Sequence, residues 1–242
     1  MGEATFWAFL AASSLFVGAA VALALRPSQH TTGIVMAFGA GALISAVAYD
    51  LVLDALDTTD ALSLSVAMAA GGLVFVTGDY FISKAGGSKR KRSTGEQAEG
   101  SPLAIVLGAA LDGVPESIVL AISVLLGGAV SASFLVATFL SNLPEAMSAT
   151  VGLRRAGWST GRIWGLWAIV VGVSTAAAAL GYLAFSSASG ASGAMVQAFA
   201  AGAVIAMLAD TMMPEAFEFG GRVVGLATLA GFVVALSVSE VA

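Results

Sequence analysis

The stretch AFGAGALISAVAYDLVLDAL (37–56) settles the setting in which this chain folds. From Ala37 to Tyr49 it carries no charge, and Asp50 and Asp54 then enter a run that is otherwise apolar. As a helix, about 20 such residues span roughly the 30 Å of a bilayer's hydrocarbon core. The stretch returns without gaps as AFAAGAVIAMLADTMMPEAF (198–217), with eight of 20 positions identical: Ala37, Phe38, Ala40, Gly41, Ala42, Ile44, Ala48 and Ala55 in the first copy. Matches of Ala on Ala are cheap in so simple a composition. Phe38 on Phe199, Gly41 on Gly202, and Asp54 opposite Glu215 are harder to dismiss.

Outward from these copies the whole chain reads the same way. Hydrophobic residues make up 58%, charged residues 10%, and mean hydropathy is +0.95, outside the balance of a soluble domain. Eight apolar stretches of spanning length fall near 4–25, 33–56, 61–83, 102–126, 130–152, 163–185, 193–216 and 222–241. They leave no room for a separate soluble domain, so residues 1–242 form a single transmembrane unit. The two copies are the second and seventh spans. Five spans apart, they cross in opposite directions, which makes the repeat inverted. The expected fold is an all-α polytopic membrane protein of eight transmembrane helices, arranged 3+2+3. Spans 1–3 and 6–8 form the halves, around spans 4 and 5.

Charge sets the expected topology. The ten basic residues are Arg26, Lys84, Lys89, Arg90, Lys91, Arg92, Arg154, Arg155, Arg162 and Arg222, all in the connections after the first, third, fifth and seventh spans. By the positive-inside rule these connections are cytoplasmic, in a multi-pass protein of the cell membrane with both termini extracytoplasmic. SKAGGSKRKRSTGEQAEGSP (83–102) has little to bury and is expected to be a mobile cytoplasmic loop, its KRKR run a topology anchor. The only histidine, His30, reads as an ordinary loop residue. The first span lacks a basic leader and reads as a retained helix. With no cysteine, thiolate metal sites and cysteine nucleophiles are excluded. The 29 glycines let helix backbones approach closely and suit a homodimer, although no interface can be named.

The chemistry lies in three Pro-Glu pairs inside apolar runs: LDGVPES (111–117), SNLPEAM (141–147) and DTMMPEA (210–216). An ionised carboxylate in a membrane helix costs several kcal/mol unless it is compensated. A proline inside a helix removes one donor and displaces the carbonyl four residues earlier, here near Leu111 and Leu140. Asp112 and Glu116 share one face of the fourth span; Ser141, Asn142 and Glu145 share one of the fifth. The seventh span adds Glu215, with Asp210 and Thr211 near it, and the second adds Asp50 and Asp54. Roughly eight carboxylates fall within spans, Asp79 among them, and no lysine or arginine lies deeper than a span's edge, so buried ion pairs are not expected. Protons, water or a bound cation must compensate the charge. For Asp79 and Asp210 a protonated or interfacial carboxyl serves equally well. Oxygen-only ligands suit hard or borderline divalent cations, with protons competing, so that uptake falls as pH falls.

These motifs resemble the ZIP (Zrt/Irt-like protein) family of divalent-metal transporters. The family pattern His-Asn-x-Pro-Glu-Gly of the fourth span is met here by Asp112-Gly113-Val114-Pro115-Glu116-Ser117. The fifth-span motif is met by Ser141-Asn142-Leu143-Pro144-Glu145-Ala146, and the acidic seventh-span segment by ADTMMPEA (209–216). The resemblance implies one principal metal site of Asp112, Glu116, Asn142 and Glu145, with Ser141 as a weak ligand. It places Glu215 toward the cytoplasmic exit and, by the repeat, Asp54 toward the outer mouth. It implies transport by alternating access, with no enzymatic activity and no resident cofactor. The expected partners are the bilayer and a transported ion: zinc by family default, with manganese or iron(II) favoured by the exchange of imidazole for carboxylate. No nucleic-acid partner is implied. The family's helix-four histidine and its histidine-rich loop are missing. Organic-cation transport is a second reading. An intramembrane aspartyl protease, suggested by AYD (48–50) and TGD (77–79), is a third that leaves the Pro-Glu pairs unexplained.

Overall fold

The structure is a computed structural model that describes residues 1–87, 90, 102–125 and 132–241. Among the described residues all regular structure is helical. The helices are α1 (Gly2–Leu25), α2 (Gln29–Ala46), α3 (Asp54–Leu56), α4 (Ala61–Ile82), α5 (Pro102–Leu125), α6 (Ala132–Arg155), α7 (Thr160–Ala184), α8 (Ala191–Met207), α9 (Met213–Gly220) and α10 (Val224–Val241). Two π-helical segments, Val47–Leu53 and Leu208–Met212, join α2 to α3 and α8 to α9. The segment expected to be a mobile loop, 83–102, lies mostly outside the described residues, as does the junction of the fourth and fifth spans at 126–131.

Local chemistry sets the helix ends. Ser28 accepts the Thr31 N–H at 3.0 Å to start α2, and Ser159 accepts that of Arg162 at 3.3 Å to start α7. Asp60 caps α4, accepting from the N–H groups of Leu62 and Ser63 at 3.1 and 3.0 Å and from Ser63 Oγ at 2.6 Å. Gly221, at φ 65° and ψ −144°, ends α9 and separates it from α10.

Six helical stretches among the described residues are long and apolar enough to cross a membrane: Gly2–Leu25, Gln29–Leu56, Ala61–Gly87, Leu103–Leu125, Thr160–Ala184 and Ala191–Ser239. The last runs for 49 residues and is broken at Gly221. Helix α6, read from sequence as the fifth span, is not among the six. It carries Asn142, Glu145, Arg154, Arg155 and several serines, and the rest of the bundle covers its polar middle. Large apolar side chains meanwhile point outward: Leu62, Leu73, Leu180 and Leu226 are each at least 66% exposed. This distribution, polar within and apolar without, fits a membrane protein and not a water-soluble one.

Glycine placement decides which helices touch. A Cβ at Gly41 would overlap the carbonyl oxygen of Thr228, and one at Gly231 that of Phe38, so α2 and α10 meet backbone to backbone. A Cβ at Gly202 would overlap the carbonyl of Met68, and one at Gly71 that of Phe199, so α8 and α4 meet in the same way. Gly18 of α1 lies against the Leu143 carbonyl of α6, and a Cβ at Gly39 of α2 would come within 2.8 Å of the Leu140 carbonyl. The arrangement packs α6 against α1 and α2, while α5 lies chiefly against α7 and α8.

Candidate functional site

Pro115 and Pro144 lie inside α5 and α6, and both helices run on through them. Leu140, whose carbonyl Pro144 leaves without its helical donor, is the residue that Gly39 allows α2 to approach. Glu116 and Glu145, each one residue past its proline, are 2% and 4% exposed. Asp112, Ser141, Asn142 and Glu215 are buried as well.

On α6 the polar groups form a stripe. Thr138, Ser141, Asn142, Glu145 and Ser148 fall within one arc at helical spacing, and all are buried. Ser148 donates to Glu215 Oε1 and so ties α9 to α6. Toward the other end of the helix, Ser133 donates to Asp50 Oδ2, while Ser239 of α10 donates to Oδ1 at 3.0 Å. Gln197 Nε2 donates to the Asp50 carbonyl at 2.9 Å. A π turn loosens the regular i→i−4 ladder, which lets that carbonyl take a donor from another helix. From Ser133 to Ser148 the helix rises about 22 Å, with an acid from a π-containing helix joined near each end.

The sequence-predicted residues do not all gather. Ser141 turns its hydroxyl back to the Thr138 carbonyl at 3.0 Å. Asp54 is exposed, at the start of α3. Helices α5 and α6, expected to converge face to face, make only sparse contact. Gly113, where the family pattern has Asn, faces α7; a Cβ there would lie 2.6 Å from Ser174 Oγ. Among the described residues no three His, Cys, Asp or Glu side chains are grouped closely enough to hold a metal ion. Asp112, Glu116 and Glu145 are therefore not assembled as one cage of carboxylates.

Asp112 is engaged elsewhere, by a residue that the charge pattern had placed in the loop. Arg90 Nε and Nη2 donate to Asp112 Oδ2 and Oδ1, both at 3.2 Å, and Nη2 lies 2.7 Å from Asp79 Oδ1. Arg90 is 4% exposed. Counting bases inside the spans predicts no buried ion pair, yet the structure holds one, because the guanidinium reaches in from beyond the end of a span. Burial alone would lower the Arg90 pKa; Asp112 first and Asp79 second outweigh it and hold the guanidinium charged. The signal available in sequence was the mismatch between uncompensated acids and a nearby KRKR run. That Arg90 turns inward was not encoded in its place in that run.

Compared with protein-family models and with characterised proteins, the chain gives no match. The functional reading rests on its own residues.

Proposed function

We propose that the protein carries divalent metal cations across a membrane, along the buried polar stripe of α6 and the buried acids of α5 and α9. The observation that carries this reading is the burial of Glu116 and Glu145, each just past a proline, in a bundle whose outer surface is apolar. Buried carboxylates beside mid-helix prolines offer the oxygen ligands that a divalent cation takes. The ligand set is Asp112, Glu116, Asn142 and Glu145, with Ser141 a weak ligand, Glu215 toward one end and Asp54 toward the other. Transport is by alternating access, with α5 and α6 rocking against α2 and α8 to expose the site to one side at a time. The three matched Pro-Glu motifs support a divergent ZIP-like transporter. Zinc is the default cargo, with manganese or iron(II) suited to an all-oxygen site.

Two observations support eight spans in an inverted repeat. The segments 37–56 and 198–217 place their π turns in register, Val47 opposite Leu208. The glycine contacts also correspond, since Phe38 and Gly41 meet Gly231 and Thr228 as Phe199 and Gly202 meet Gly71 and Met68. Topology is supported by the first, fifth and seventh connections. Arg26, Arg154 and Arg155 line one cavity of about 310 Å³, and His30 Nδ1 lies 3.1 Å from the Phe219 carbonyl oxygen. These connections thus share one face, cytoplasmic by their charge.

Uptake of zinc, manganese, iron(II), cobalt and magnesium into proteoliposomes tests the proposal. Glu116→Gln and Glu145→Gln should each lower uptake of the preferred ion by about tenfold or more, the loss expected when a charged ligand is removed. Wild-type uptake by both variants, properly inserted, would place the site elsewhere. Uptake of an organic cation with no metal flux would favour the second reading.

A further inference from the structure

We propose that Arg90 is a built-in competitor for the cargo, so that a cation takes Asp112 as a ligand only by displacing the guanidinium. The inference rests on the divalent-cation reading given above and adds to it a residue that sets cargo affinity. The fork of Arg90 covers both oxygens of Asp112, at 3.2 Å each, and these are the atoms a metal would need. Asp112 and Glu116 lie one turn apart on α5, so chelation through both requires the fork to leave.

The seat for Arg90 is constructed. Gly86, at φ 98°, turns the chain beyond α4, and Gly87 packs where a Cβ would come within 2.9 Å of the Ala104 carbonyl. Arg90 returns toward α5, its own N–H donating to the Gly87 carbonyl at 3.1 Å and its Nη1 to the same oxygen at 3.3 Å. Its side chain crosses α5 at Gly108, one turn before Asp112. A Cβ at Gly108 would overlap Arg90 Cδ and lie 2.5 Å from Nε. Any residue other than glycine there would fill the slot. Asp79, 17% exposed and also held by Ser83 Oγ at 3.2 Å, shares the guanidinium and fixes its position from α4.

With the Arg90 guanidinium between Asp79 and Asp112, Asp112 is compensated without cargo, and an incoming ion must compete for it. Affinity is lowered, and release is correspondingly easier, as a carrier requires.

The test is Mn2+ binding to the purified full chain in detergent, by calorimetry, beside size-exclusion and circular-dichroism checks of the fold. Arg90→Gln should bind about tenfold tighter than wild type, because a competing charge-assisted pair is gone. Gly108→Ala should do the same while leaving every charge in the sequence, since the flexible arginine yields to the new methyl. Adding Asp112→Asn to either variant should return affinity to about the wild-type level, and millimolar guanidinium should weaken binding to Arg90→Gln. A purely structural Arg90 would show none of this pattern. Wild-type binding abolished by Glu116→Gln, with Gly108→Ala and Arg90→Gln unchanged or weaker, would overturn the competition and leave the transport reading intact. Absence of binding by every folded variant would remove both. If Arg90→Gln does not fold, Gly108→Ala decides alone.

Discussion

The segments 37–56 and 198–217 share a backbone and part company in their acids. Each approaches its neighbour through a phenylalanine carbonyl and a glycine three residues later, and each passes into a π turn at the same aligned position. In the first copy Asp50 lies in the π turn, held by Ser133 and Ser239, while Asp54 is exposed. In the second, Thr211 stands opposite Asp50, Asp210 is exposed, and Glu215 is buried against Ser148. Pro214 accounts for part of the difference. It has Leu53 as its counterpart and lies in the first turn of α9, beside Glu215. Related sequence fixes a common frame, and the chemistry sits where the two copies differ.

The widest gap between the copies is expected in transport. Glu215→Gln should lower metal uptake by about tenfold or more, whereas Asp54→Asn, at an exposed position, should stay within about twofold. Equal losses would mean that both acids serve as equivalent stations and that burial does not separate them. A smaller effect tests what the copies share. Gly41→Ala and Gly202→Ala each drive a methyl into a backbone carbonyl, an overpacking that costs about 1–3 kcal/mol, and both should lower the melting temperature in detergent by similar amounts. Loss in one with none in the other would break the structural equivalence.

The smallest effect concerns the partners of the two copies, α4 and α10. Only α4 begins with an acidic cap, Asp60, among the described residues. The Ser63 hydroxyl, then the Ser63 backbone N–H, hold the Asp60 carboxyl below its ordinary value of 3.8. A group depressed in the folded state contributes stability above that value and loses it as pH falls through the folded one. Melting temperature should therefore be insensitive to Asp60 titration at neutral pH and dip slightly below about pH 4. Asp60→Ala should remove that part of the dip. An unchanged acid limb in the variant would show that the cap contributes nothing measurable.

Much of the frame is legible along the chain. Unbroken apolar length predicts helices over most of the chain. The buried acids beside Pro115, Pro144 and Pro214 stand out because nothing about an apolar helix calls for them. Their partners are another matter. Ser133, Ser148, Gln197 and Ser239 look like the many other small polar residues in this composition, and only the rotation of each helix brings them to Asp50 or Glu215.

The sequence by itself determined that this chain is helical, that its helices are apolar enough for a membrane, and that carboxylates lie within them. These follow from composition and periodicity, which act residue by residue. Tertiary structure alone decided that α5 lies against α7 and α8, that Asp54 faces outward while Glu215 is buried, and that Arg90 crosses Gly108 to reach Asp112. An ion pair joining residues 22 positions apart depends on where two backbones pass and how far a side chain reaches. No local pattern carries that information.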